Sequence, residues 1–213
     1  MFFNLLLIRC PDQELRIYYL GDLINAKLEI KMEFYVLRKS PVLLKFSGRR
    51  LALNYIIGLI EQNQRVLFFL SQIEIMFNEL TINDDGQIAN LQTEKNSGRQ
   101  VHFLVEKMYN PLTQEFASWK LIKFLNSSNR SYEVRVDSQS EHIRLVFSPN
   151  LFHNEWAIVY SFGMTKRPGI LKYLPEERSA NWLTTQFAVK TDEISFELEQ
   201  LNDHRRNDFL EEM

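Results

Sequence analysis

One cysteine, Cys10, occurs among 213 residues. That excludes an intramolecular disulfide and any cysteine-rich zinc site, and it fits a reducing compartment. Cys10 stands before Pro11 at the end of an apolar run, as a small core or edge residue rather than a nucleophile. Glycine is equally scarce. Seven residues are too few for Gly-rich nucleotide motifs, and GxxxxGK[ST] is missing. No GxSxG elbow singles out a serine. The four histidines, His102, His142, His153 and His204, show neither HxH nor HxxxH spacing. A metal site would have to be assembled through the fold, for example from His142, His153 and Glu155.

Long hydrophobic runs are missing too. The opening MFFNLLLIRC lacks a basic flank and a small-residue cleavage site, and the run Leu51–Ile60 is followed by a polar stretch. Neither is long enough to cross a bilayer. Nor is there an excess of one charge. Lys and Arg number 25 against 27 Asp and Glu, a net charge of −2, so no bulk positive field draws the chain to DNA or anionic membranes. Together these absences predict a soluble cytoplasmic protein without a cofactor.

Phenylalanine is abundant, with 16 residues. So many planar side chains predict an aromatic core, the alternative being an aromatic-lined pocket for a small apolar ligand.

Phe2–Ile8 and Glu14–Leu20 have the composition of strands. Leu28, Ile30, Met32, Phe34 and Val36 alternate with polar residues, which predicts a strand in an antiparallel sheet with one wet face. Val42–Phe46 suits another short strand. From Arg49, Ala52, Tyr55, Ile56, Leu59 and Ile60 follow helical spacing to about Gln62, with Ser47 as the cap. Val66, Leu67, Leu70, Ile73 and Phe77 fit a helix, whereas Ile73, Ile75 and Phe77 fit a strand. The turn Asn83-Asp84-Asp85-Gly86, which sets Ile82 opposite Ile88, favours a strand over 73–82. Val101, Leu104, Val105 and Met108 predict a helix ending at Asn110-Pro111, and a second helix follows from about Thr113.

The polar loop Asn126–Arg130 is a candidate boundary. Beyond it, Tyr132–Asp137 and His142–Phe147 alternate as a hairpin with one charged face, and Trp156–Phe162 forms a further strand. Phe187–Val189 and Ile194–Leu198 suit strands, although Thr191-Asp192-Glu193 could equally cap a helix through Leu201. Residues 202–213 lack apolar periodicity and are expected to fray.

The fold class expected is α+β: antiparallel sheet with helices from the middle of the chain packed on one face. The chain forms a single domain 1–213, with two lobes at 1–126 and 127–201 as the variant.

Chemistry is sparse. Arg49 and Arg50 at a helix start could meet an anion. Lys166 and Arg167, in the basic loop 165–169, could join Trp156, Tyr160 and Phe162 in a surface for single-stranded nucleic acid. His153 and Glu155 are the weak candidates for acid–base catalysis. Asp203–Asp208 is rich in catalytic residue types but lies in the tail. The function expected is therefore that of a non-enzymatic protein–protein interaction protein: an assembly subunit, adaptor or inhibitor. Binding of a small hydrophobic ligand is the alternative, and nucleic-acid binding through the basic loops comes third.

Overall fold

Alternating apolar residues from Tyr132 to Lys166 build the middle of the molecule. The structure is a computed structural model describing residues 5–9, 15–19, 32–44, 50–62, 70, 72–74, 76–77, 80–96, 99–110, 113–137, 142–166 and 180–212. For 5–9, 15–19, 96, 99 and 180 it describes the backbone alone. Cys10, the cap Ser47 and Arg49, and most of the loop 165–169 with Arg167, lie outside these residues.

In chain order the elements are β1 (Leu5–Arg9), β2 (Leu15–Tyr19), β3 (Glu33–Leu37), α1 (Ala52–Gln62), β4 (Gln92–Asn96), β5 (Arg99–Asn110), β6 (Glu115–Phe124), β7 (Tyr132–Asp137), β8 (His142–Phe152), β9 (Glu155–Lys166), α2 (Ala180–Gln200), α3 (Asp203–Arg206) and β10 (Leu210–Glu212). The described residues between 70 and 77 are also helical. β1 and β2 form a two-stranded antiparallel sheet. The others form one eight-stranded sheet in the order β10-β3-β9-β8-β7-β6-β5-β4.

An α+β class fits, but two expectations about it need correction. The sheet is mixed, because β3 runs parallel to β9 while the other pairs are antiparallel. Helices cover both faces rather than one. Strand residues of even parity in β7 and odd parity in the first half of β8, including Val134, Val136, Ile143, Leu145 and Phe147, pack with Ala52, Ile56 and Leu59 of α1 and with Leu70, Ile73 and Phe77. Their alternates, such as Val146, Val159, Phe162 and Met164, pack with Phe187, Ala188, Ile194 and Leu198 of α2. A strand covered on both sides loses its polar face, and β8 is buried from Ile143 to Asn150.

The phenylalanines largely fill this interior. Phe77 stacks on Phe34 at 6.0 Å and tilts against Phe147 at 5.1 Å, and Tyr132 stacks on Phe147 at 5.5 Å. On the other face, Phe162 stacks on Phe187 at 4.8 Å.

Four stretches differ from the sequence expectation. Of the strand favoured over 73–82, the described residues 73, 74, 76 and 77 are helical, because Leu70, Ile73 and Phe77 all find the core at helical spacing. The turn signal holds only locally: Ile82 bridges Ile88, and Gly86 takes φ 75° against the ring of Trp156. The two helices expected over 101–125 are strands β5 and β6. Their apolar residues divide between the two faces, and a bulge at Leu121 places Leu121 and Ile122 both in the core, which hides the alternation. Val42–Leu44 are not in a strand. Of the two readings of 187–201, the helix forms and the strands do not, and it begins at Ala180 rather than at a cap near Thr191.

The residues expected to fray, from Asn202, instead form α3 and β10, and β10 pairs with β3. Guanidiniums anchor them, together with Phe209 and Leu210, which pack on the core. Arg206 donates to the carbonyls of Leu198 and Leu201 at 3.2 and 2.7 Å and stacks on Phe152, while Arg38 donates to the carbonyl of Asn207 at 2.8 Å. The loop 126–130 joins β6 to β7, which pair side by side. Asp192 of α2 holds this loop by accepting from the Asn129 amide and the Ser131 hydroxyl.

Candidate functional site

The strand pairing puts Lys123 beside Glu133, Glu133 beside Val146, Arg135 beside Arg144, Asp137 beside His142 and His142 beside Lys166. Alternation then gathers these charges on the sheet face that carries α2. The hairpin's charged face was expected to be wet. It is largely buried instead: the side chains of Glu133 and Arg144 are 2% and 4% exposed.

The cluster has a tight half and a loose half. Arg144 donates to Asp137 Oδ1 at 2.6 Å, and the same oxygen meets His142 Nδ1 at 2.9 Å. Burial alone would raise the Asp137 carboxyl, but the charge and hydrogen bond of Arg144 outweigh it and hold the group below the usual range. Around Glu133 the distances are longer. Lys123, Arg135 and Arg144 lie 4.0, 3.8 and 4.0 Å from Oε1, and Lys166 lies 3.8 Å from Oε2. Burial pushes the Lys166 ammonium down; Glu133 opposes this and the neighbouring cations reinforce it. Arg135 is lowered in the same way, by burial and then by Arg144.

Beside this cluster the same face continues onto β5 and β6 and opens to solvent. Phe103 lies under Lys120 and Arg135, with the cations 4.8 and 5.7 Å from its centroid. Further out, Tyr109 and Phe116 are paired across β5 and β6 and are 40% and 64% exposed, with Lys107 over the Phe116 ring. β4 pairs with β5 only from Arg99 to Phe103. Among the described residues, Leu104–Tyr109 therefore has no strand on its outer side.

Apart from Lys166 and His142, which belong to the charge cluster, the residues singled out from sequence are elsewhere. His153 and Asn154, at φ 52° and 66°, form the two-residue turn between β8 and β9. His153 is 71% exposed and pairs with Asp203 at 3.0 Å, and Glu155 beside it is exposed. Among the described residues no three His, Cys, Asp or Glu side chains could hold a metal ion, and no helix is long and apolar enough to cross a membrane. Lys166 belongs to β9 and faces Glu133, while Tyr160 and Phe162 are buried on opposite faces, so the surface expected from them does not form. Arg50 stands half-buried just before α1. The aromatic and basic surface that does form was missed, because it lies in the segment taken for helices. Strand alternation of Lys107 with Tyr109, and of Phe116 with Lys120, was its signal.

One further pair of buried acids faces the other side of the sheet. Burial raises the Glu74 carboxyl to about 7, and burial and then Glu74 raise the Tyr160 hydroxyl. Neither Glu74 Oε1 nor the Tyr160 hydroxyl makes a hydrogen bond. A carboxyl raised in the folded state favours folding while protonated, and that contribution fades as pH rises from its ordinary value of 4.5 through about 7. Glu74→Gln is therefore expected to stabilise the protein by about 2 kcal/mol at pH 8 and to change little at pH 4. Urea melts at the two pH values measure this.

No known protein family, curated protein or solved structure matches the chain.

Proposed function

We propose that the protein is a non-enzymatic interaction module that takes an extended segment of another protein onto the outer edge of β5. The observation that carries this reading is the six-residue stretch Leu104–Tyr109, which runs past the end of its edge partner β4. A strand edge offers a row of amides and carbonyls to any chain that lies along it, and natural proteins usually blunt or cover such edges. Strand addition draws affinity from those backbone groups and specificity from neighbouring side chains. Tyr109, Phe116 and Lys107 supply the side chains here, two exposed aromatics with a cation above one of them. Such a surface suits a partner segment with apolar and acidic residues in alternation.

Ten-residue peptides selected from a displayed random library are the test. Binders of β-prone sequence are expected, and their binding should slow amide exchange across Leu104–Tyr109. Binders that leave those amides unchanged would sink the reading.

A second reading, single-stranded nucleic acid stacked on Tyr109 and Phe116, has the same aromatic pair and the lysines at 107 and 120 in its favour. It requires steep weakening with salt and loss of binding in Phe116→Ala.

A further inference from the structure

We propose that the sheet face around Glu133 is a binding site for a doubly charged phosphate group, held by Lys123, Arg135 and Lys166 with Arg144 beneath them. Charge is the first argument. Four cations, Lys123, Arg135, Arg144 and Lys166, meet two carboxylates, Glu133 and Asp137. Among the described residues, two positive charges are left over in a site where Arg144 is almost fully buried. Cations without a counter-charge are costly in such surroundings. A phosphate monoester carries about −1.5 to −2 at neutral pH and three acceptor oxygens, so one such group balances the cluster.

Spacing is the second argument. Arg144 and Asp137 close to hydrogen-bond distance, at 2.6 Å. Around Glu133 the four nitrogens stay at 3.8–4.0 Å, roughly 1 Å beyond a charge-assisted hydrogen bond. Glu133 Oε2 and the Nε atoms of Arg135 and Arg144 are buried and make no hydrogen bond. The donors thus converge on one place without being used there.

Access is the third. Lys123, Arg135 and Lys166 are all partly exposed, whereas Arg144 is not. The phosphate oxygens reach the first three from solvent, and Arg144 supplies the charge below. The site rests on charge and spacing, and it stands or falls apart from strand addition at β5.

Inorganic phosphate titrated against sodium chloride of matched ionic strength tests it, followed by calorimetry and amide NMR. Saturable binding is expected, with shifts centred on β7, β8 and β9. Arg135→Gln and Lys123→Gln change partly exposed positions, and spectra of each check that the fold is kept. Each is expected to weaken binding about tenfold, the worth of one charge-assisted hydrogen bond. Lys39→Gln, at the β3 edge, should leave binding unchanged. A phosphoserine tripeptide run in parallel assigns the source: tighter binding than inorganic phosphate marks a phosphate carried on a chain, and equal binding marks the free ion. No binding beyond the chloride control, or binding indifferent to both substitutions, overturns the proposal.

Discussion

Glu133→Ala is expected to destabilise the fold by about 3–5 kcal/mol, the usual result of removing one partner from a buried charge cluster. The loss comes less from the contacts removed than from what stays behind. Lys123, Arg135, Arg144 and Lys166 all face this carboxylate within 4.0 Å, and only Asp137 would remain among them as an anion. Three of the cations can turn partly to solvent. Arg144 cannot, because its side chain is enclosed and tied to Asp137 and to the carbonyl of Ile143. A denaturant midpoint that falls at unchanged slope would register the effect. Glu133→Gln keeps the shape and removes only the charge, so a loss nearly as large should accompany it. A change within 0.5 kcal/mol in both variants would mean that the cluster is in effect solvated.

Gly163→Val should be as severe, costing about 3 kcal/mol through overpacking. The backbone of β9 passes directly under Tyr55 of α1. A Cβ added at Gly163 would stand 1.9 Å from Cδ1 of that ring, 2.4 Å from Cγ and 2.7 Å from Cε1. The ring cannot simply swing away, since these atoms lie near its root and the Tyr55 hydroxyl shares a 2.6 Å hydrogen bond with Thr165. Either α1 lifts, uncovering Ala52, Ile56 and Leu59, or β9 shifts in a sheet that has neighbours on both sides. Gly163→Ala separates crowding from other causes. Combined with Tyr55→Ala, it should cost clearly less than the two single changes added together. Strict additivity would show that the ring and the glycine do not meet.

Gly163 also marks where sequence reasoning falls short. The strand from Trp156 was expected to stop at Phe162, but β9 runs to Lys166. The glycine is there because a ring lies on it, and nothing local to it announces that. Similar limits explain β5 and β6. A stretch such as Val101–Met108 satisfies a helical stripe and a strand alternation at once, and the bulge at Leu121 removes the regularity that would decide between them. Where the alternation is clean, as in Met32–Val36 and in the β7–β8 hairpin, strand and facing residues were legible. The candidate sites were legible only in part. Glu133, Arg135 and Arg144 were seen as one charged face, but its burial depends on elements distant in the chain. The anchoring of the last residues was invisible because an arginine bonded to carbonyls leaves no hydrophobic period.

The parallel pairing of β3 with β9 has a bearing on the order in which the chain can assemble during synthesis. Each strand from β4 to β8 pairs with the next one made, so the meander can close hairpin by hairpin as it leaves the ribosome. β3 emerges long before that, yet its partners are Ala157–Tyr160 on one side and Leu210–Glu212 on the other, both made late. Until they arrive, Met32, Phe34 and Val36 have no sheet to join. Folding is therefore expected to finish with an early-made strand entering between two late-made ones. The interval before that step is when a chaperone would find the most exposed apolar surface on the nascent chain.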